Sequence, residues 1–190
     1  NQLKYDAAAV GNHDFNYGLD FLKTTIAAAK HPYLSANVFV AGPDPAKAPN
    51  LVKPYVILDR EYKDDTGASQ KIRVGVIGFT PPQIMMWDYA NLNGKVFAID
   101  IVDAAKRFVP QMKREGADIV IAAVHSGLSS AVRRGMDENA SAYLAEVPGI
   151  DAILTGHSHR VFPDASYSNI PGADTAQGTV RGVPTVMPGM

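Results

Sequence analysis

A chain of 190 residues, 46% apolar and 19% charged, can bury one real core and is short for two domains. Its net charge of −1 argues against nonspecific binding to nucleic acid or an anionic membrane, which needs a basic face. No apolar run approaches the roughly 20 residues of a membrane span, and the absence of cysteine removes disulfides, thiolate metal sites and cysteine nucleophiles together.

In chain order, residues 7–10 read as a first strand ending at Gly11. A helix is predicted over residues 18–30, because Leu19, Leu22, Ile26 and Ala29 share one face at helical spacing. His31-Pro32 stops it, and residues 33–38 read as a short strand ending at Asn37. Residues 41–49 form a Pro/Ala/Gly loop. Residues 55–62 and 71–79 make a predicted hairpin around the polar turn Asp64-Asp65-Thr66-Gly67.

Thr80-Pro81-Pro82 breaks the chain, and residues 83–93 carry no clear period; within them Met85-Met86-Trp87 reads first as core and second as a substrate-facing patch. Asp100 is placed to cap a helix running to about residue 115, with Ile101, Ala105, Phe108 and Met112 as its buried stripe and Gly116 as its stop. A nearly all-apolar strand at residues 118–124 is expected to be central and covered on both faces. A helix near residues 138–146, a strand at 151–155 and a Gly/Pro-rich tail with one short strand at 183–187 complete the chain. Strands alternating with helices predict an α/β layered fold with a mixed sheet.

Four of the strand ends share a pattern. Apolar runs lead directly into Gly11-Asn12-His13-Asp14, Thr80, His125-Ser126-Gly127 and Gly156-His157-Ser158-His159. Ligands of open α/β sheets sit outside the carboxyl ends of the strands. Three separate ends therefore deliver Asn and His side chains to one rim. Each has an ordinary explanation taken singly: Asn12 as a turn former beside glycine, His125 as a buried, satisfied imidazole, and the paired histidines as a surface loop. Four of five histidines in these loops favour a metal-dependent hydrolytic site, with only His31 ordinary surface. A serine-nucleophile elbow, a phosphate loop and a dinucleotide fingerprint are all absent from the sequence, so Ser126 and Ser158 are poor nucleophile candidates.

Gly11-Asn12-His13-Asp14-Phe15-Asn16-Tyr17-Gly18, His125-Ser126-Gly127 and Gly156-His157-Ser158-His159 together resemble the calcineurin-like metallophosphoesterases, over essentially the whole chain. Within them the resemblance is to the nucleotidase branch. Asn16, His159 and the run at residues 77–88 point to its cyclic-phosphodiesterase/3′-nucleotidase members. The resemblance implies two divalent metal ions, of Zn, Mn or Fe type, with Asn12, His125 and His157 as ligands of one and His159 of the other. It implies His13 as general acid or transition-state stabiliser, positioned by Asn16, where many relatives carry aspartate. It further implies nucleotide substrates (2′,3′-cyclic and 3′-nucleotides), no nucleic-acid partner and a periplasmic location.

The family's Asp-x-His and Gly-Asp-x-x-Asp motifs do not occur in this sequence. The expectation is a partial catalytic domain over residues 1–190, lacking its first strands and a nucleotide-binding C-terminal domain. Such a piece is expected to be inactive and to expose a sheet edge that invites pairing between chains. Alternatives left open are a 5′-nucleotidase or other ester hydrolase of the same family, and a non-catalytic metal-binding domain.

Overall fold

The structure is a computed structural model that describes residues 3–189. In chain order its elements begin with β1 (Ala8–Ala9), α1 (Gly18–Ala28), β2 (Tyr33–Leu34), β3 (Val38–Val40), β4 (Tyr55–Lys63) and β5 (Ser69–Phe79). Two one-turn helices follow, α2 (Ile84–Trp87) and α3 (Tyr89–Leu92), then β6 (Val96–Ala98), α4 (Ile101–Arg114) and β7 (Ile119–Val124). The last part holds α5 (Ser141–Leu144), β8 (Ala152–Thr155), β9 (Val161–Phe162), β10 (Ala173–Asp174), β11 (Thr179–Val180) and β12 (Val183–Pro188).

The main sheet has the order β10-β11-β12-β8-β7-β5-β4, with β9 added to β12. β5, β7, β8 and β12 run parallel, while β4, β9 and β11 run antiparallel to their partners. This is the mixed sheet the alternating pattern predicts. Its register matters most at one end. Phe79 lies opposite Val124, and Val124 opposite Thr155, so three neighbouring strands finish at one level. Thr80, His125 and Gly156 leave the sheet together.

The β4–β5 hairpin forms as expected, and its turn is organised by one side chain. Asp64 Oδ1 accepts from Thr66 N at 2.9 Å and Ala68 N at 3.0 Å, which closes the loop without a long ladder. α4 also forms as predicted. Asp100 Oδ1 accepts from Val102 N (2.9 Å) and Asp103 N (3.1 Å), satisfying two of the orphan donors of the first turn. Ile101, Ala105, Phe108 and Met112 are all buried against β5, β7 and β8. Full burial of each of the larger ones contributes roughly 1.5–3 kcal/mol.

Four expectations are corrected. β7 is central, but it is covered on one face only: Val120, Ala122 and Val124 are buried, whereas Ile119, Ile121 and Ala123 on the other face are only partly so. On that same side of the sheet Leu154 keeps 48% of its surface exposed. The predicted strand at 33–38 splits into β2 and β3. Buried Asn37 does the work of a ladder between them, accepting from Thr80 N (3.0 Å) and donating to Thr80 O (2.7 Å). Gly78 lets this segment cross β5, since a Cβ there would lie 2.3 Å from Leu34 O.

The predicted helix at 138–146 shrinks to α5. Ser126 Oγ donates to Glu138 O and accepts from Ala140 N (2.8 Å), which holds those residues out of helical geometry. The tail contains four short strands in place of the one predicted. Two-residue strands between glycine turns offer too few side chains to show a period.

Candidate metal and phosphoester site

The site begins with a close backbone approach. Just past β1 lies Gly11, where an added Cβ would sit 2.9 Å from His125 Cε1, so only glycine lets the imidazole in. The next residues curl into a short 3₁₀ turn (His13–Phe15). Asp14 Oδ2 accepts from Gly11 N at 2.8 Å and fixes this loop. Asn12 then faces His125, with Asn12 Oδ1 and His125 Nε2 2.8 Å apart. From the third strand end comes His157, whose ring lies 5.2 Å from that of His125, centre to centre.

His157 and His159 hold φ of 67° and 55°, the left-handed region that L-residues seldom occupy. Gly156 is not among the positive-φ glycines; the strained positions of this loop are the two histidines. Each such residue costs of order 1–3 kcal/mol and persists where surrounding structure imposes it, commonly at a functional site.

Burial is the main reason that His125 titrates low, at about 4, and the charges of His157, His13 and His159 push in the same direction. The His125 ring therefore senses the other three rim histidines. At neutral pH His125 is a neutral imidazole with a lone pair to give. One proton now bridges Asn12 Oδ1 and His125 Nε2, and a divalent cation could take its place. Two imidazoles and an amide oxygen suit a borderline ion. Among the described residues no group of three or more His, Cys, Asp or Glu side chains is gathered as a metal site.

The His13 side of the rim is built separately. His13 Nδ1 lies 2.8 Å from Asn16 Oδ1, and Asn16 Nδ2 donates to both oxygens of Asp88 at 3.1 and 3.2 Å. A carboxylate only accepts, so the amide nitrogen must face Asp88 and its oxygen must face His13. His13 is thus the donor at Nδ1, and Nε2 is left for a reacting group. His13 and Asn16 are exposed, whereas Asp88 is buried.

Three contributors escaped the sequence reading. Asp88 lies 72 positions from Asn16, Glu138 Oε1 meets His157 Nε2 at 2.8 Å, and Trp87 stacks on the His157 ring at 5.6 Å. Asp88 and Trp87 belong to the run that carried the family resemblance, which was their one signal. The core role for Met86 and Trp87 is overturned: they are 75% and 45% exposed. Thr80, the fourth strand end, is structural. It is fully buried, and its hydroxyl donates to Val10 O at 2.8 Å. Ser126 is likewise buried in structural hydrogen bonds and is no nucleophile.

Two strand ends of the mixed sheet carry His125 and His157, the separate β1–β2 pair brings Asn12 to His125, and the chain belongs to the calcineurin-like phosphoesterase family, which it matches over residues 2–161. Among its relatives is the 2′,3′-cyclic-nucleotide 2′-phosphodiesterase/3′-nucleotidase of Yersinia enterocolitica, 51% identical over 189 residues, covering 100% of this chain and 28% of that protein. The protein of the same name from Salmonella typhimurium is 49% identical over 190 residues, covering 100% and 29%. The crystal structure of the calcineurin-like phosphoesterase YfkN from Bacillus subtilis superposes with a TM-score of 0.93 at 46% identity, covering 98% of this chain and 55% of that one. The chain thus spans just over a quarter of the length of these curated relatives.

Proposed function

We propose that this chain is the phosphoesterase part of a metal-dependent hydrolase acting on 2′,3′-cyclic nucleotides. Water adds to the cyclic phosphodiester and the P–O2′ bond breaks, leaving a 3′-nucleotide. A second water then breaks P–O3′ and frees phosphate. The reading rests on the convergence of Asn12, His125 and His157 from three strand ends, combined with close similarity to proteins named for this activity. These three residues would hold one divalent ion of Zn, Mn or Fe type, and His159 would serve a second. When bound, such ions polarise phosphate oxygens and make water a nucleophile near neutral pH.

The remaining chemistry belongs to the chain. His13, exposed and fixed through Nδ1, would as the imidazolium give its Nε2 proton to the departing ribose oxygen while keeping the Nδ1 proton on Asn16. Asn16, itself held by Asp88, keeps that ring turned outward. Half-burial of His125 and His157 keeps competing water from the ligand atoms.

Two experiments test this. A protein of the relatives' full length that includes this chain should hydrolyse 2′,3′-cyclic AMP and 3′-AMP in preference to 5′-AMP; the opposite preference overturns the substrate class. We propose that the isolated chain is inactive or nearly so, because the described residues gather no group of three or more His, Cys, Asp or Glu side chains that could hold an ion. Enzyme-like turnover by the purified, Mn²⁺-loaded chain would refute that. A periplasmic location and pairing between chains at a sheet edge are lesser proposals. Cell fractionation decides the first. A strictly monomeric sedimentation profile at high concentration overturns the second, which the charged edge strand β4 (Asp59, Arg60, Glu61, Lys63) already opposes.

A further inference from the structure

The carboxylate of Glu138 reaches the His157 ring from a loop that carries no metal ligand and that the sequence did not single out. We propose that Glu138 is a positioning residue: by accepting the Nε2 proton of His157 it leaves Nδ1 as the nitrogen that ligates metal. This deepens the reading under Proposed function and rests on it for the metal, though not for the tautomer.

Three observations carry it. The first is the contact, His157 Nε2 to Glu138 Oε1 at 2.8 Å. A neutral imidazole has one N–H and one lone pair, and an ionised carboxylate can only accept. Nε2 therefore holds the proton, and the lone pair is at Nδ1. Metal-bound histidines commonly donate their other ring nitrogen to a carboxylate, which fixes tautomer and ring orientation and makes the ligand more basic.

The second observation is how the Glu138 backbone is held. Ser126 Oγ donates to Glu138 O, and Ser126 directly follows His125. Two residues before Glu138, Met136 N donates to Asp100 Oδ2 (2.7 Å), and Met136 O accepts from Gln83 Nε2 (2.7 Å). Two residues after it, Ala140 N donates to Ser126 Oγ. The backbone is thus tied to the His125 loop while the side chain holds His157. One residue sets the relation between both imidazoles.

The third is the indole of Trp87, stacked on the ring with 27° between the planes. Stacking fixes the ring plane, and the carboxylate fixes rotation within it. Together they offset the freedom that a left-handed, half-exposed turn would leave to His157.

The test uses the ¹⁵N-labelled chain and long-range ¹H–¹⁵N spectra of the imidazoles, recorded without metal and during Zn²⁺ titration. His157 should show Nε2–H in both states, with Zn²⁺ moving Nδ1. A bare Nε2 in the metal-free chain, or a Zn²⁺ response at Nε2, overturns the proposal and makes Glu138 a competitor or a ligand instead. Glu138→Ala should mix the two tautomers and weaken Zn²⁺ binding by about 10–100-fold. Glu138→Gln keeps an acceptor and should restore much of the tautomer preference; this variant also separates positioning from loss of fold. Unchanged tautomer and Zn²⁺ affinity in both variants would sink the inference alone. A wild-type chain that binds no Zn²⁺ defeats the metal reading instead, and the metal-free spectrum still decides the tautomer.

Discussion

His125 and His157 are half-buried and hydrogen-bonded to groups from other segments, Asn12 and Glu138, whereas His13 and His159 stand exposed on the same rim. Under the proposed roles the contrast follows from what each side would do. A ligand needs a fixed, neutral lone pair out of competition with water. A proton donor needs access to the leaving group and to solvent. The buried pair is held by contacts 113 and 19 positions apart in sequence; the exposed His13 is held by Asn16, three residues on. Even so, the local pair reaches into the core through Asp88.

The sharpest way to break this comparison is to remove the histidines one at a time and measure bound metal. His125→Ala and His157→Ala should abolish stoichiometric Mn²⁺ or Zn²⁺, a larger loss than the roughly 10–100-fold expected for outer partners. His13→Ala should leave metal content unchanged. Equal loss in all three would merge the two halves of the rim.

Gly11→Ala comes next. The new methyl meets a rigid ring, so the loop or His125 must shift, at about 1–3 kcal/mol. A urea titration gives the stability change, and metal affinity should fall with it. An unchanged affinity would mean that the β1 loop does not set the His125 position.

Asp88→Asn addresses the exposed half. In a full-length protein of this kind it should lower turnover with little change in metal content. The loss should be smaller than the roughly 10²–10⁴-fold that general acid–base catalysis contributes, because His13 itself remains. Metal loss in this variant would show that Asp88 supports the buried half instead.

The smallest effect is on acid stability. Burial alone would raise the pKa of Asp100, but hydrogen bonds from Arg133, Asp103 N and Met136 N, with the Arg133 charge, outweigh it and hold the group below its usual value. A depressed carboxylate stabilises the fold above its unfolded pKa of about 3.9 and loses that contribution as pH falls through the lower, folded value. Arg133→Met should therefore move the acid limb of a pH–stability curve upward. It should also loosen the loop bearing Glu138, because Asp100 anchors that loop. Superimposable acid limbs would remove Asp100 from the support of the site.

Much of the scaffold was legible because its elements announce themselves locally. The Asp100 cap, the α4 stripe and the Asp64 turn are each written within a few residues. The meeting of His125 and His157 was legible for another reason: β7 and β8 are parallel and in register, so polar residues directly after each run share a rim, whereas Asn12 arrives from the separate β1–β2 pair. What failed had distant causes. Asn37 splits a predicted strand by bonding Thr80, 43 positions away, and Ser126 unwinds the start of a predicted helix 12 positions on. Glu138 looked like the first residue of a predicted helix, since nothing local distinguishes a carboxylate that will meet an imidazole.

Sequence alone determined which strand ends carry Asn and His, and hence the family. Tertiary structure decided the state in which those groups are offered. Burial makes His125 neutral, Asp88 turns the Asn16 amide toward His13, and Glu138 assigns the proton on His157. The division has a physical cause. Ligand identity is a property of one side chain, whereas protonation, tautomer and amide orientation depend on which partners the fold brings within about 3 Å.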